Sequence, residues 1–362
     1  MKSRDSIRLI RMKNKKSEIS AASSNNSGFG LRARALLLST AAFALILAQT
    51  ATVSAGKKAD SLGLWVPDTL NNTIVEFTTA QRAASGSPIP AATIDSAALD
   101  FPAALVFDPS GNMWVVNTLG TSIVEFTAGQ LIDLGATSNP VPAVTITSSF
   151  VNPLADFDKS GNLWVSDHGT DEIFEFSKKQ LKAGGDITPK VTISSTDLNG
   201  VRNIAFDHKG NLWLSNDDSN QIVEFAKKSL AKGGSLTPPV IISDDGSGSL
   251  DSCESIAFDR DHNLWVANAG NDTVVELAAS SLKTTGSPTP AVTIGATDGS
   301  LDTPVGIGFD DKGNLWVSNF SGATVVEFSP SQITSSGSPT PTVTISSTSD
   351  SLDGPEQFSF GF

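Results

Sequence analysis

Tyrosine is absent from the 362 residues, cysteine occurs once and histidine three times. One cysteine, Cys253, closes no internal disulfide, so packing alone must hold the fold. Scarce cysteine and histidine also exclude a Cys/His zinc pattern, and neither a Walker loop nor a nucleophile elbow with a Ser/His/Asp order is present. Charged residues make up only 17% of the chain. Ser, Thr, Gly and Pro are plentiful instead, a composition of strands and turns rather than of helices.

Charge is unevenly spread. Residues 1–55 hold nine Lys or Arg and two Asp or Glu, which leaves 16 basic and 36 acidic residues, a net of −20, on the remainder. Such a surface repels phosphate backbones and argues against nucleic acid as a partner. Residues 1–34 are polar and basic, Ala35 to Ala48 is apolar, and a small-residue stretch ends in Val53-Ser54-Ala55. This pattern predicts a signal peptide over 1–55, cleaved after Ala55, and a secreted or periplasmic chain with no membrane attachment after cleavage. The alternative is an uncleaved anchor, for which Ala35 to Ala55 supplies 21 residues, the second half of them rich in Thr, Ser and Gln.

What is abundant is repetition. Six Trp (Trp65, Trp114, Trp164, Trp213, Trp265, Trp316) are spaced by 49, 50, 49, 52 and 51 residues. Each lies in a phrase clearest as Gly313-Asn314-Leu315-Trp316-Val317-Ser318-Asn319. A fixed period near fifty signals stacked units of one architecture. In the last full unit, Gly306 to Asp310 is a short apolar strand (A), and a tight turn with Gly313 at a positive-φ position leads to Leu315–Ser318 (B). Asn319 heads the next turn, where its side chain can bond its own backbone. Thr324–Phe328 (C) follows, then a longer segment and Thr342–Ile345 (D). Both faces of this sheet are apolar, so each must pack between two others. Copies around an axis satisfy that: an all-β, six-bladed β-propeller over 56–362, four antiparallel strands per blade. The first unit begins at Leu64-Trp65-Val66 without a strand A, and Gly354 to Phe360 resembles a strand A with nothing after it. The tail is therefore expected to complete the first blade and remove the free edge.

The Phe-Asp, Gly-Asn-Leu-Trp-Val and Ile-Val-Glu-Phe phrases resemble those of NHL-repeat and streptogramin-lyase-like propellers over residues 61–362. Propellers of this kind include enzymes, ligand binders and scaffolds, so the resemblance implies the architecture and no single activity. It places working residues where the A strands begin, on the face shared by the D–A loops and B–C turns. Counting five back from the Asp that ends each strand A gives Ala103, Pro153, Arg202, Glu254 and Val305, and Glu356 counted from Gly361. With Asn203 and Gln357 beside them, Arg202, Glu254 and Glu356 form the candidate ligand-binding set at the channel mouth. Glu254 and Glu356 are the candidate ligands for Ca2+ or Mg2+. The resemblance implies a metal held by Glu, Asn and Asp in lactonases, or His with a nearby Glu and Mg2+ in the lyases. Here the ring has no His, and Arg202 would repel a cation or pair with Glu254.

Other residues stand out. The Glu of strand C and the Trp occur in every unit and read as architecture. His208 and His262 fall in A–B turns, with His262 at the turn-Gly position, and His168 falls in a B–C turn. Asp156 stands where other A strands have Val106, Ala205, Ala257, Gly308 and Ser359, behind a loop one residue shorter. Asp167, Asp171, Asp217 and Asp218 form an acidic cluster that offers oxygen ligands to Ca2+ or a solvated rim. The sequence predicts an exported, monomeric binding module engaging a small ligand or a protein through the channel and loop face. The alternative is a metal-dependent lactonase or streptogramin-lyase-like enzyme at the channel mouth.

Overall fold

A computed structural model describes residues 63–147, 149–295, 297–347 and 352–361. The signal segment expected over 1–55 lies outside the described residues. Six sheets stand around one axis, each with four core strands in the order A-B-C-D. Blade 2 shows the plan: Pro102–Phe107 (A), Met113–Asn117 (B), Ser122–Phe126 (C) and Val144–Thr147 (D). Blade 3 begins at Leu154–Phe157, blade 4 at Val201–Phe206, blade 5 at Cys253–Phe258 and blade 6 at Pro304–Phe309.

The ring closes as expected. Ser359–Gly361 pairs antiparallel with Gly63–Asp68, with Trp65 opposite Ser359 and Leu64 opposite Phe360. The tail therefore supplies strand A of blade 1. A second closure runs along the outer rim. Each C–D connection lays a short parallel bridge on strand D of the preceding blade: Gly185 on Ile146, Gly234 on Ile193, Gly286 on Ile242, Gly337 on Ile294, Ser138 on Ile94 and Gly86 on Ile345. Every outer edge is thus covered, which protects it from foreign strands.

Packing between blades explains the Trp. Six apolar clusters lie at the six blade junctions, each joining the Trp of one blade to the apolar face of the next. Trp114 meets Phe157 edge-on, Trp164 meets Phe206, Trp213 meets Phe258, Trp265 meets Phe309 and Trp316 meets Phe360, with centroids 6.0–6.3 Å apart. Edge-to-face contacts of this kind add to what area burial already supplies.

The Gly-Asn phrase is fixed by hydrogen bonds. Asp310 Oδ1 accepts from the Lys312 and Asn314 amides, at 2.9 Å each, and Oδ2 accepts from Asn314 Nδ2 at 2.8 Å. Asp108, Asp158, Asp207 and Asp259 repeat the pattern. The Asn ending strand B behaves differently from the local turn expected of it. Asn319 Oδ1 accepts from the Asp302 amide and its Nδ2 donates to Ser300 O at 2.9 Å, so it ties down the D–A loop of its own blade. Asn117, Asn216 and Asn268 do the same, because the strand end lies beside that loop in space though far from it in sequence.

Asp68 takes this position in blade 1. It is buried and accepts from the Asp353 amide at 2.7 Å, so it fastens head to tail. Burial pushes its carboxyl from an ordinary 3.8 up to about 7, partly offset by the bond from Asn71. Such a group binds a proton more tightly folded than unfolded, so its contribution is full near pH 4 and is lost as pH rises through about 7. Asp68→Asn installs the residue of the other blades, with Thr73 placed to accept as Thr324 does for Asn319. Urea unfolding should show the variant more stable by about 1–3 kcal/mol near pH 8, with no gain near pH 4. Removing residues 355–362 should strip blade 1 of its inner strand. The expected readouts are a lower melting temperature and concentration-dependent association in size-exclusion chromatography, since the bare edge of strand B is a template for pairing.

Candidate functional site

Each D–A loop enters its strand through one left-handed residue: Phe101, Asn152, Gly200, Ser252, Thr303 and Gly354 have φ of +51° to +74°. The B–C turn of the preceding blade holds that residue. Asp171 Oδ1 accepts from the Gly200 amide at 2.6 Å, Asn220 Oδ1 from Ser252 at 2.8 Å, Asp272 Oδ1 from Thr303 at 2.8 Å and Asn72 Oδ1 from Phe101 at 2.7 Å. A β-bulge follows. Strand A shifts register between Pro102 and Ala104, Val201 and Ile204, Cys253 and Ser255, and Pro304 and Gly306. A bulge places an extra residue outside the ladder and re-aims its side chain. The residues concerned include Ala103, Arg202, Glu254 and Val305, those reached by counting along the sequence.

Blade 3 departs from this rule. Leu154 pairs with Ser166 and Ala155 with Val165 without a shift. One residue fewer separates the left-handed Asn152 from the ladder, so Pro153 stands alone where Pro102-Ala103 and Val201-Arg202 stand in the neighbouring blades. The shorter loop takes up its deletion there, and the strand itself does not slip. Asp156 faces Trp164 as Val106 faces Trp114 and Ala205 faces Trp213.

The ring residues are buried: Arg202 is 1%, Glu254 3% and Glu356 2% exposed. Arg202 and Glu254 form an ion pair, with Nε 2.8 Å from Oε2 and Nη2 on the same oxygen. Asn203 Oδ1 accepts from the Ile256 amide at 3.2 Å. Gln357 Oε1 accepts from Ser255 Oγ at 2.6 Å, reaching past blade 6, and its backbone joins Ala103 and Leu105 of blade 2. These side chains knit the A strands across the axis at the D–A end. Beyond them lies an axial cavity of about 370 Å³. Asn203 and Gln357 line it together with Asp156 and a wall of Leu, Val, Ile, Ala and Phe side chains from strand A. Burial pushes the Asp156 carboxyl up to about 7, against the opposing effect of a 2.7 Å bond from the Phe157 amide.

The acidic cluster divides. Asp167 accepts from the Val151 and Gly169 amides and Asp171 from Gly200, so both are committed to loop structure. Asp217 and Asp218 instead meet His168, and one ligand atom from each lies within 4.8 Å of the others. A nitrogen with two carboxylates suits a divalent transition metal better than Ca2+. His168 and Asp217 occupy the turn position that carries Thr69, Thr118, Ala269 and Phe320 in the other blades.

His262 has φ +67°, as its turn-Gly position requires, and it stacks on His208 with ring centroids 3.9 Å apart. The two rings come from different turn positions, His208 directly after its turn Asp and His262 at the turn-Gly position, and they meet because the two A–B turns lie side by side across a blade junction. Burial pushes the Cys253 thiol up, which removes it as a nucleophile.

No family profile matches the chain, and no curated protein matches it in sequence. Solved structures do. A nidogen/laminin complex structure aligns at TM-score 0.57 and 15% identity, over 83% of this chain and 98% of that one. A protein from Lactobacillus plantarum aligns at TM-score 0.55 and 15% identity, over 83% and 99%. Virginiamycin B lyase from Staphylococcus aureus aligns at TM-score 0.44 and 15% identity, over 64% of this chain and 67% of the lyase. At these identities the likeness is one of fold: the chain is a six-bladed propeller.

Arg202→Met leaves the Glu254 carboxylate buried without its guanidinium and should cost about 3–5 kcal/mol of stability. A double-mutant cycle with Glu254→Gln should return a coupling of about 2–3 kcal/mol by chemical denaturation. Additive losses would show that the pair contributes nothing as a pair.

Proposed function

We propose that this chain is an exported binding module that takes a small ligand into its axial cavity. The observation that carries the reading is the cavity itself: about 370 Å³, lined by apolar strand-A side chains, with Asp156 the single carboxyl in its wall. A concavity in which apolar side chains alternate with a few convergent polar groups is a common form of small-molecule site. The Arg202–Glu254 pair closes the D–A end, so entry from the A–B-turn end fits better than the loop-face mouth inferred from sequence. Asp156 would receive the ligand's ammonium or hydrogen-bond donor, and the amides of Asn203 and Gln357 its polar far end.

A lactonase or lyase would instead need its metal at the buried ring, where the Glu254 carboxylate is already engaged by Arg202. An extracytoplasmic location rests on the basic and apolar N-terminal segment and on the acidic surface. Among the described residues no helix is long and apolar enough to cross a membrane.

Calorimetric titration with benzylamine and with neutral benzyl alcohol tests the cavity. The amine should bind more tightly, its affinity should rise as pH passes through about 7, where Asp156 ionises, and Asp156→Asn should erase the preference. Equal binding of the two probes, or an unaffected variant, would remove Asp156 from the site. Titration with Mg2+ and Ca2+ should show no stoichiometric site sensitive to Glu254→Gln or Glu356→Gln. A tight site lost in those variants would transfer the assignment to the metal-dependent enzymes.

A further inference from the structure

The blade junctions carry a set of crevices on the A–B-turn side, and the sixfold repeat makes each a control for the others. Every junction brings together a Trp, the Phe of the next blade and the strand-C Glu opposite that Trp, and in blades 2 to 6 the Asp of the A–B turn joins them. The junction of blades 6 and 1 is filled by the protein itself. Arg82 of blade 1 lays its guanidinium 5.4 Å from the Trp316 ring and 5.1 Å from Phe360. Asp310, Glu327 and Asp311 supply the opposing charge. At the junction of blades 3 and 4, Lys190 Nζ reaches Glu175 Oε1 at 2.7 Å. Two junctions thus hold a cation against the strand-C Glu.

The junction of blades 4 and 5 has the same walls and no such cation. Trp213 and Phe258 stand as Trp316 and Phe360 do, with centroids 6.1 Å apart. Glu224 lies opposite Trp213 as Glu327 lies opposite Trp316. Leu282 takes the place of Arg82, and a cavity of about 230 Å³ remains, lined also by Asp207 and Glu224. Glu224 is 9% exposed, no hydrogen bond to it is made among the described residues, and its carboxyl feels the charges of Asp207 and Lys209. The indole N–H of Trp213, 3% exposed, lacks an acceptor, as does that of Trp114, whereas those of Trp164, Trp265 and Trp316 donate to their turn Asp. The floor is acidic and aromatic. The rim is exposed and basic, with Lys209, Lys283 and the stacked His208 and His262. Lys209 does not bar a cation, since Lys312 stands in the same place where Arg82 is bound.

We propose that the crevice between blades 4 and 5 binds a free cationic amino acid, arginine being the match to Arg82. The side-chain cation enters between Trp213 and Phe258 toward Glu224 and Asp207. The α-carboxylate stays at the rim with Lys209 and Lys283. Cation–π contact and two carboxylates hold the head, as the chain's own arginine is held two junctions away. This site is separate from the axial cavity and does not depend on that reading.

Calorimetric titration of the whole protein with arginine, agmatine and citrulline tests it. Arginine should bind. Citrulline, its neutral isostere, should bind at least roughly tenfold more weakly, and agmatine, which lacks the carboxylate, weaker than arginine by a smaller factor. Glu224→Gln should weaken arginine by roughly tenfold or more. Leu282→Arg, which copies blade 1, should abolish arginine binding by filling the crevice while leaving the melting temperature unchanged or higher. Equal affinity for arginine and citrulline, binding that survives Leu282→Arg in a folded variant, or no heat up to about 10 mM arginine would overturn the proposal.

Discussion

A sheet with apolar side chains on both faces cannot stand in water alone. Each blade here buries one face on the blade before it and the other on the blade after, so no blade is complete until all six are in place. The six Trp-centred clusters are the physical content of that dependence. It explains why closure is made twice. The tail strand joins the first blade at the inner ring, and Gly86 bridges Ile345 at the outer rim. Repeat stacks without closure would leave two apolar faces and two strand edges exposed.

Closure also sets the limits on where chemistry can be placed. The tightest radius belongs to the strand-A bulges, and side chains placed there are forced into one another. Arg202 and Glu254 meet because adjacent bulges aim them at a common axis, and a cation and an anion are the residues that can share so dry a place. A buried pair of this kind holds register and leaves little of either group for a ligand. Space returns along the axis where strand A carries small residues, Ala205, Ala257 and Gly308 among them, and that is where Asp156 stands.

The architecture was legible in the sequence because it is written six times. Trp spacing, the Gly-Asn turns and the missing first strand each have a local cause, and local causes survive without coordinates. Asp156 could be placed for the same reason: its neighbours in other blades supply the alignment. What could not be read was set by contacts between units. That Asp171 serves Gly200, or that Asn319 serves Asp302, depends on which loop lies beside which turn. Counting gave Arg202 and Glu254 as ring residues and put Pro153 beside them, where one residue stands for the two that other blades have before the ladder. Burial of the ring was invisible for a related reason: a channel mouth and a plugged axis have the same sequence positions and differ only in side-chain direction.

Departures from the repeat sort into two groups by position. Those of blade 1 lie on the seam where the chain's two ends meet. Arg82 crosses it to Trp316 and Phe360, and Asp68 crosses it to Asp353. A junction made without covalent continuity gains from extra fastening, so these need no ligand to explain them. The other group is remote from the seam. The shortened entry to strand A, His168 and Asp156 belong to blade 3, Asp217, Asp218 and His208 to blade 4, and His262 to blade 5. None of these closes the ring, and each residue named is of a type that the same position has in no other blade. A fold whose stability comes from sameness tolerates such interruptions only on a few blades at once. Their concentration on one side of the ring marks the part of the propeller where sequence has been released from holding the structure together.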